Sequence, residues 1–165
     1  MTAFAFRVSA DAPRPFVVLL HTHETPEANI WSQYVDTLSE LLPRTKTSVP
    51  IFAVTDGGGP DSGQRRALAR AFAPDRLGAM THVFTTSSFT RGIVTAFHWV
   101  ARARAVAHLP EEFPAVCERC QAPVRAVLDE LFGLQALLPP VTLLEQIAAV
   151  CGVGVSREPK SSRRG

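Results

Sequence analysis

The chain has 165 residues, 46% hydrophobic and 19% charged, with a formal net charge of +2. It is long enough for one domain with a full core and too apolar for disorder. Four of the 17 basic residues (Arg157, Lys160, Arg163, Arg164) and one of the 15 acidic ones (Glu158) follow Ser156. The body is therefore near neutral, which argues against a basic nucleic-acid-binding face.

No apolar run approaches the roughly 20 residues that a bilayer span needs. The N-terminus "MTAFAFRVSADAPRP" lacks the basic stretch and apolar segment of a secretory signal, so a cytoplasmic location is expected. Cys117, Cys120 and Cys151 then read as reduced thiols.

In chain order, "FAFRV" (4–8) alternates like a strand and "PFVVLL" (15–20) is a short apolar run, so the two predict a hairpin. A helix follows, with Thr25 as N-cap and Pro26 at its first position. Ile30, Trp31, Tyr34, Leu38, Leu41 and Leu42 share one face of it at helical spacing. "VPIFAVT" (49–55) reads as a central strand buried on both sides. "SGQRRALARAFA" is a second helix, "THVFTT" (81–86) a strand, and "SSFTRGIVTAFHWVARA" a third helix with Ile93, Val94, Phe97 and Val100 inward. "AVAHL" (105–109) is a weaker strand, and "PEEFPAVCERCQA" a short fourth helix. Beyond Pro123, two amphipathic helices are split by Pro139 and Pro140.

The order β-β-α-β-α-β-α-β-α predicts an α/β fold with a mostly parallel sheet. The expected organisation is an α/β domain over residues 1–122, a C-terminal helical extension packed on it over 123–155, and a disordered basic tail over 156–165.

The most informative stretch is "VTDGGGPDSGQRRALARAF" (54–72), where a strand ends in Asp56 and a Gly-rich turn enters a helix. Such a turn offers backbone N–H groups and a positive helix end to an anion. Gly57, Gly58 and Gly59 do not match a phosphate loop, since no Gly-Lys-Ser/Thr follows, nor the dinucleotide fingerprint. The turn also reads as a permissive bend with an Asp/Ser helix cap. As a third reading, Ser62 at the helix start is a site where a phosphoryl group is favoured.

With Asp61-Ser62-Gly63 opening a helix after a buried strand, the chain over about residues 4–121 resembles the STAS domain of anti-sigma-factor antagonists, in a divergent bacterial branch. The resemblance implies a STAS-like fold and a non-enzymatic regulatory or scaffold module, with Ser62 as phosphoacceptor. It matches Asp61 to the acidic residue before the serine, Gly63 to the glycine after it, and Asp56 to an acidic residue ending the preceding strand. A protein partner, regulator or kinase-like, is expected on the surface from Asp56 to Arg70, with Arg65 and Arg66 beside Ser62. No cofactor is expected.

The alternative is a small-molecule binder or enzyme that takes a phosphate or carboxylate at the Gly-rich loop. Arg91 would complete that anion site, or pair with Asp56 or Asp61. Concavity separates the two readings, because a ligand site needs a pocket with converging polar groups. His21 and His23, with Glu24 beside them, have metal-ligand character but no evident third and fourth ligand. Cys117-x-x-Cys120 has zinc and redox spacing without a second pair. Neither a nucleophile elbow nor a carboxylate pair stands out.

Overall fold

The computed structural model describes residues 2–10, 14–45, 47–71, 78–101 and 104–154, with backbone alone for 71 and 97–101. Strand β1 (Phe4–Ser9) pairs antiparallel with β2 (Phe16–His21), Phe4 opposite His21 and Ser9 opposite Phe16, which is the expected hairpin. Strands β3 (Val49–Thr55), β4 (Ala79–Phe84) and β5 (Ala105–His108) then add in parallel. The spatial order β1-β2-β3-β4-β5 is the chain order. The expected mostly parallel sheet with alternating helices is observed.

Because every crossover steps in the same direction and crossovers are right-handed, their helices land on one side of the sheet. These are α1 (Ala28–Leu41), α2 (Ser62–Ala71) and α3 (Ser88–Ala101). Trp31, Tyr34 and Leu38 of α1, with Leu68 of α2 and Val94 of α3, pack on Val17, Leu19, Ile51, Ala53 and Val83 of the sheet. Successive strand residues point to opposite faces. The intervening Phe16, Val18, Leu20, Phe52, Val54 and Phe84 therefore form a second apolar face. Helices α4 (Phe113–Arg119), α5 (Val124–Gln135) and α6 (Thr142–Val150) cover it. Phe113, Val127, Leu128, Leu131 and Ile147 seat there, each with no exposed surface.

Helix α1 departs from expectation at its start. It opens at Ala28 with Glu27 at the cap, and not at Pro26 with Thr25 capping. The Pro26 carbonyl is taken by Gln64 Nε2 of α2 at 2.7 Å, and Glu27 Oε1 accepts from the Ala3 N–H at 2.8 Å. These tertiary bonds hold the approach to α1 extended. Strand β4 begins at Ala79, earlier than expected, because Ala79 and Met80 pair with Val49 and Pro50. Ile93 was expected inward but is 37% exposed. The side chains of Phe97, His98, Trp99 and Val100 and the tail beyond 154 lie outside the described residues.

Helix α6 has no side-chain cap of its own at Val141. Asp56, at the end of β3, supplies one from 86 residues away. Its Oδ2 accepts from the Thr142 N–H at 2.8 Å and its Oδ1 from the Leu143 N–H at 2.9 Å. A carboxylate there satisfies two orphan donors and faces the positive end of the helix. Asp56→Ala is expected to lower stability by about 0.5–2 kcal/mol, as loss of an N-cap does. Urea unfolding measures this, and an unchanged midpoint would contradict the capping role.

Candidate functional site

The turn after β3 is held from several sides. Gly57 has φ of +118°, a conformation that favours glycine. Its N–H donates to Thr55 Oγ1 at 3.1 Å, and its carbonyl accepts from Thr90 Oγ1 of α3 at 2.9 Å. The Gly58 N–H reaches the Thr22 carbonyl at 3.2 Å, and the Gly58 carbonyl accepts from Thr55 Oγ1 at 3.0 Å. A Cβ on Gly58 would stand 2.5 Å from the Thr22 oxygen and 2.7 Å from the Glu24 oxygen. Only glycine lets the turn lie this close to the segment after β2.

Helix α2 opens with a capping box. Asp61 Oδ1 accepts from the Gln64 N–H at 2.8 Å, and Gln64 Oε1 accepts from the Asp61 N–H at 2.9 Å. The N–H groups of Gly57, Gly58, Asp61 and Gln64 are thus already bonded inside the protein. The Asp61 carboxylate also occupies the place an anion would take. As a phosphate cradle the loop is largely filled by its own chain.

Between this loop, the sheet and the three crossover helices lies a cavity of about 370 Å³. Leu19, Ala53 and Val83 form its floor, Phe4, Trp31 and Tyr34 one wall, and Leu68 and Val94 the other. Trp31 Nε1 donates to the Gln64 carbonyl at 3.0 Å, fixing α1 to α2 beside it. His21, His23, Thr55 and Arg65 line its loop end, and Thr81 and Arg104 line it towards the start of β4 and β5. Phe89, 75% exposed, and Ile93 form an apolar lip.

His21 is the unusual member. Its ring is 4% exposed and Nε2 has no hydrogen-bond partner. Burial pushes its pKa down to about 4, against the opposing pull of the nearby Glu24 and Gly58 backbone and of the Glu27 carboxylate. The ring is therefore neutral at pH 7. A buried polar atom without a partner costs free energy that a bound polar group would recover.

The residues singled out from the sequence divide into several sets. Gly57, Gly58, Gly59, Asp61 and Arg65 line the cavity, with Arg65 Nη1 donating to the Pro60 carbonyl at 2.6 Å. Ser62, Gly63 and Arg66 are exposed on the outer side of the α2 start. Asp56 is engaged in capping α6. Arg91 does not join the loop: it lines a shallow groove with Val94, Thr95 and residues of β5. Among the described residues it forms no ion pair with Asp56 or Asp61. No described group of three or more His, Cys, Asp or Glu is placed to hold a metal ion. His21 and His23 part company, the first buried and the second exposed at the mouth. Thr55, Thr90 and Gln64, which build the loop, carry no local signal in the sequence beyond a hydroxyl at a strand end and an Asp-x-x-Gln spacing.

No family model matches the chain, and no curated protein matches it. Among solved structures, it is similar to an uncharacterized protein from the DUF3478 family with a SpoIIAA-like fold, from Shewanella loihica PV-4. The identity is 9% and the TM-score 0.48, over 66% of this chain and 87% of that one. Among the described residues, no helix is long and apolar enough to cross a membrane.

Two measurements follow from this geometry. Gly58→Ala forces a methyl group against backbone and is expected to cost about 1–3 kcal/mol, as overpacking does. Gly59→Ala, with nothing within 4 Å of its Cβ, should leave the melting temperature unchanged or raised. Equal effects in a thermal melt would refute the close approach at Gly58. The second concerns acid. His21 and His82 titrate near 4 when folded, against 6.5 as free groups. The unfolded chain then binds more protons between those values, so stability falls as pH drops from 6.5 towards 4. In His21→Leu the loss over that window is smaller, and an unaltered slope would show that His21 is not held neutral.

Proposed function

We propose that the chain is a binding module for a small, mostly apolar molecule, held beneath the Gly-rich loop with one hydrogen-bonding end against His21. The observation that carries this reading is the cavity itself, about 370 Å³ and walled by aromatic and aliphatic side chains. His21, whose buried Nε2 has no partner, borders its loop end. That volume falls in the range of small-molecule sites, which pair apolar walls with a few placed polar groups. A neutral imidazole offers Nε2 as donor or acceptor according to its tautomer, so an alcohol, amide or protonated acid suits it better than a phosphate dianion. The bonded loop N–H groups and the Asp61 carboxylate point the same way.

A second reading is favoured by one observation, the exposed Phe89 and Ile93 at the lip. There a protein partner docks an apolar residue over the cavity, and Ser62, exposed at the first position of α2, serves as the phosphoacceptor that the STAS resemblance implies. This places docking on α3 and the loop together, with Asp56 committed elsewhere.

Thermal-shift titration with medium-chain alcohols, medium-chain acids and small aromatic alcohols, with inorganic phosphate as control, tests the first reading. A ligand at 100 times its dissociation constant adds about 2.7 kcal/mol. For a chain of this size that is a rise of roughly 5–10 °C. Val94→Trp, which fills the cavity from α3, is expected to abolish the shift. No saturable shift across the panel, or one that survives Val94→Trp, would sink the cavity reading and leave the docking surface.

A further inference from the structure

On the opposite face of the sheet, four polar side chains form a line among apolar neighbours. His82 of β4 and His108 of β5 lie diagonally on adjacent parallel strands, since His82 pairs with Val106 and Phe84 with His108. His82 Nδ1 is 3.0 Å from His108 Nε2. His108 Nδ1 is 3.5 Å from Glu112 Oε1, and Cys120 Sγ is 3.3 Å from His82 Nε2. The line runs from a half-exposed carboxylate, through two buried imidazoles, to a partly exposed thiol.

Hydrogen-bonding rules settle which atom carries each proton. An ionised carboxylate only accepts, so His108 Nδ1 bears the hydrogen. Neutral His108 then has a bare Nε2, and His82 must donate to it from Nδ1. Neutral His82 is left with a lone pair on Nε2, and what faces that lone pair is the Cys120 S–H. The arrangement holds a base against a thiol, with an oriented path for the charge that forms on proton transfer.

We propose that Cys120 is a nucleophilic thiol, deprotonated by His82 with His108 and Glu112 as positioning residues, and that it is a site of oxidation by hydroperoxides. The thiol proton passes to His82 Nε2 as sulfur attacks one peroxide oxygen. The O–O bond breaks, the S–O bond forms, and the departing oxygen takes the proton from His82. The products are Cys120 sulfenic acid and water or an alcohol, so sulfur is oxidised by two electrons and the peroxide reduced by two.

Among the described residues, the other charged and thiol groups in the neighbourhood are Arg119, Cys117 and, beside Cys117, Cys151. Arg119 lowers the pKa of Cys120, which favours the thiolate, and also lowers that of His82 and His108, which weakens them as bases. Burial acts on Cys120 in the other direction, so the resting group is the thiol and the relay is what makes it reactive. Cys117, one turn earlier and fully buried, is pushed up to about 12 and serves as an internal inert reference.

The test is hydrogen peroxide treatment of the intact chain in the presence of dimedone, with the adduct at each cysteine followed by mass spectrometry. Cys120 is expected to react ahead of Cys117 and Cys151. His82→Gln should slow it by roughly 10²-fold, the scale of a lost general base. Glu112→Gln, at a half-exposed position, guards against a variant that fails to fold. It should slow Cys120 near neutral pH, with the difference closing at high pH where hydroxide deprotonates the thiol without the relay. A packing defect would not produce that pH dependence. Adducts on Cys151 as fast as on Cys120, or an unchanged Cys120 rate in Glu112→Gln, would overturn the proposal.

Discussion

The constraint on which the structure depends is that the strands stand in space in the order they occur in the chain. A sheet built this way steps in one direction only, and right-handed crossovers then put every connecting helix on the same side. Doubly wound sheets reverse direction and cover both faces with their own crossovers. Here α1, α2 and α3 serve one face, and Phe16, Val18, Leu20, Phe52, Val54 and Phe84 need a separate cover. Helices α4, α5 and α6 supply it, so residues 113–150 are half of the core's enclosure. The Asp56 carboxylate fastens α6 to the end of β3.

The two faces differ in character because they are closed differently. The crossover helices are separated by strands and meet over β3 and β4 with space left between α2 and α3. The carboxyl ends of β2 and β3 converge there, and the loop that crosses them is locked by Thr55, Thr90 and the close approach at Gly58. On the other face, consecutive helices lie against Phe52 and Phe84, whose rings pack with His82 and His108 and with Phe113 of α4. Burial keeps the imidazoles neutral on both faces, yet with opposite consequences. On the cavity side it leaves a ring nitrogen unmatched, and on the other it orders a row of hydrogen bonds.

The layering was legible in the sequence because it rests on periodicity. The unbroken apolar run of β3 read as a strand buried on two sides, and the alternation of strands and helices implied the parallel sheet. The spacing of Trp31, Tyr34 and Leu38 announced the buried stripe of α1. What periodicity does not carry is partnership between distant residues. Asp56 looked like part of a loop surface, and nothing near it in the sequence says that its acceptors face the start of a helix 86 residues on. Thr25 looked like a cap, but the Gln64 bond to Pro26 moved the helix start. The Gly-rich loop was legible as a special turn, whereas the fate of its N–H groups depended on Thr22 and Thr55. His82, His108 and Cys120 come from three segments with no common motif, and only strand register and the cover helices bring them together.

Chain-ordered strands also bear on how the protein is assembled during synthesis. Each new strand finds its neighbour already in place, so pairing proceeds outward from the first hairpin with short loops to close. The crossover face is complete once β5 is added. The other face gains its cover only when residues 113–150 have been made, and until then a row of phenylalanine, valine and leucine side chains stands open along the sheet. A nascent or truncated chain stopped before that point carries the sticky surface of an aggregation-prone intermediate. Helices α4, α5 and α6 thus act as the chain's own chaperone, arriving late to a surface that no earlier element among the described residues covers.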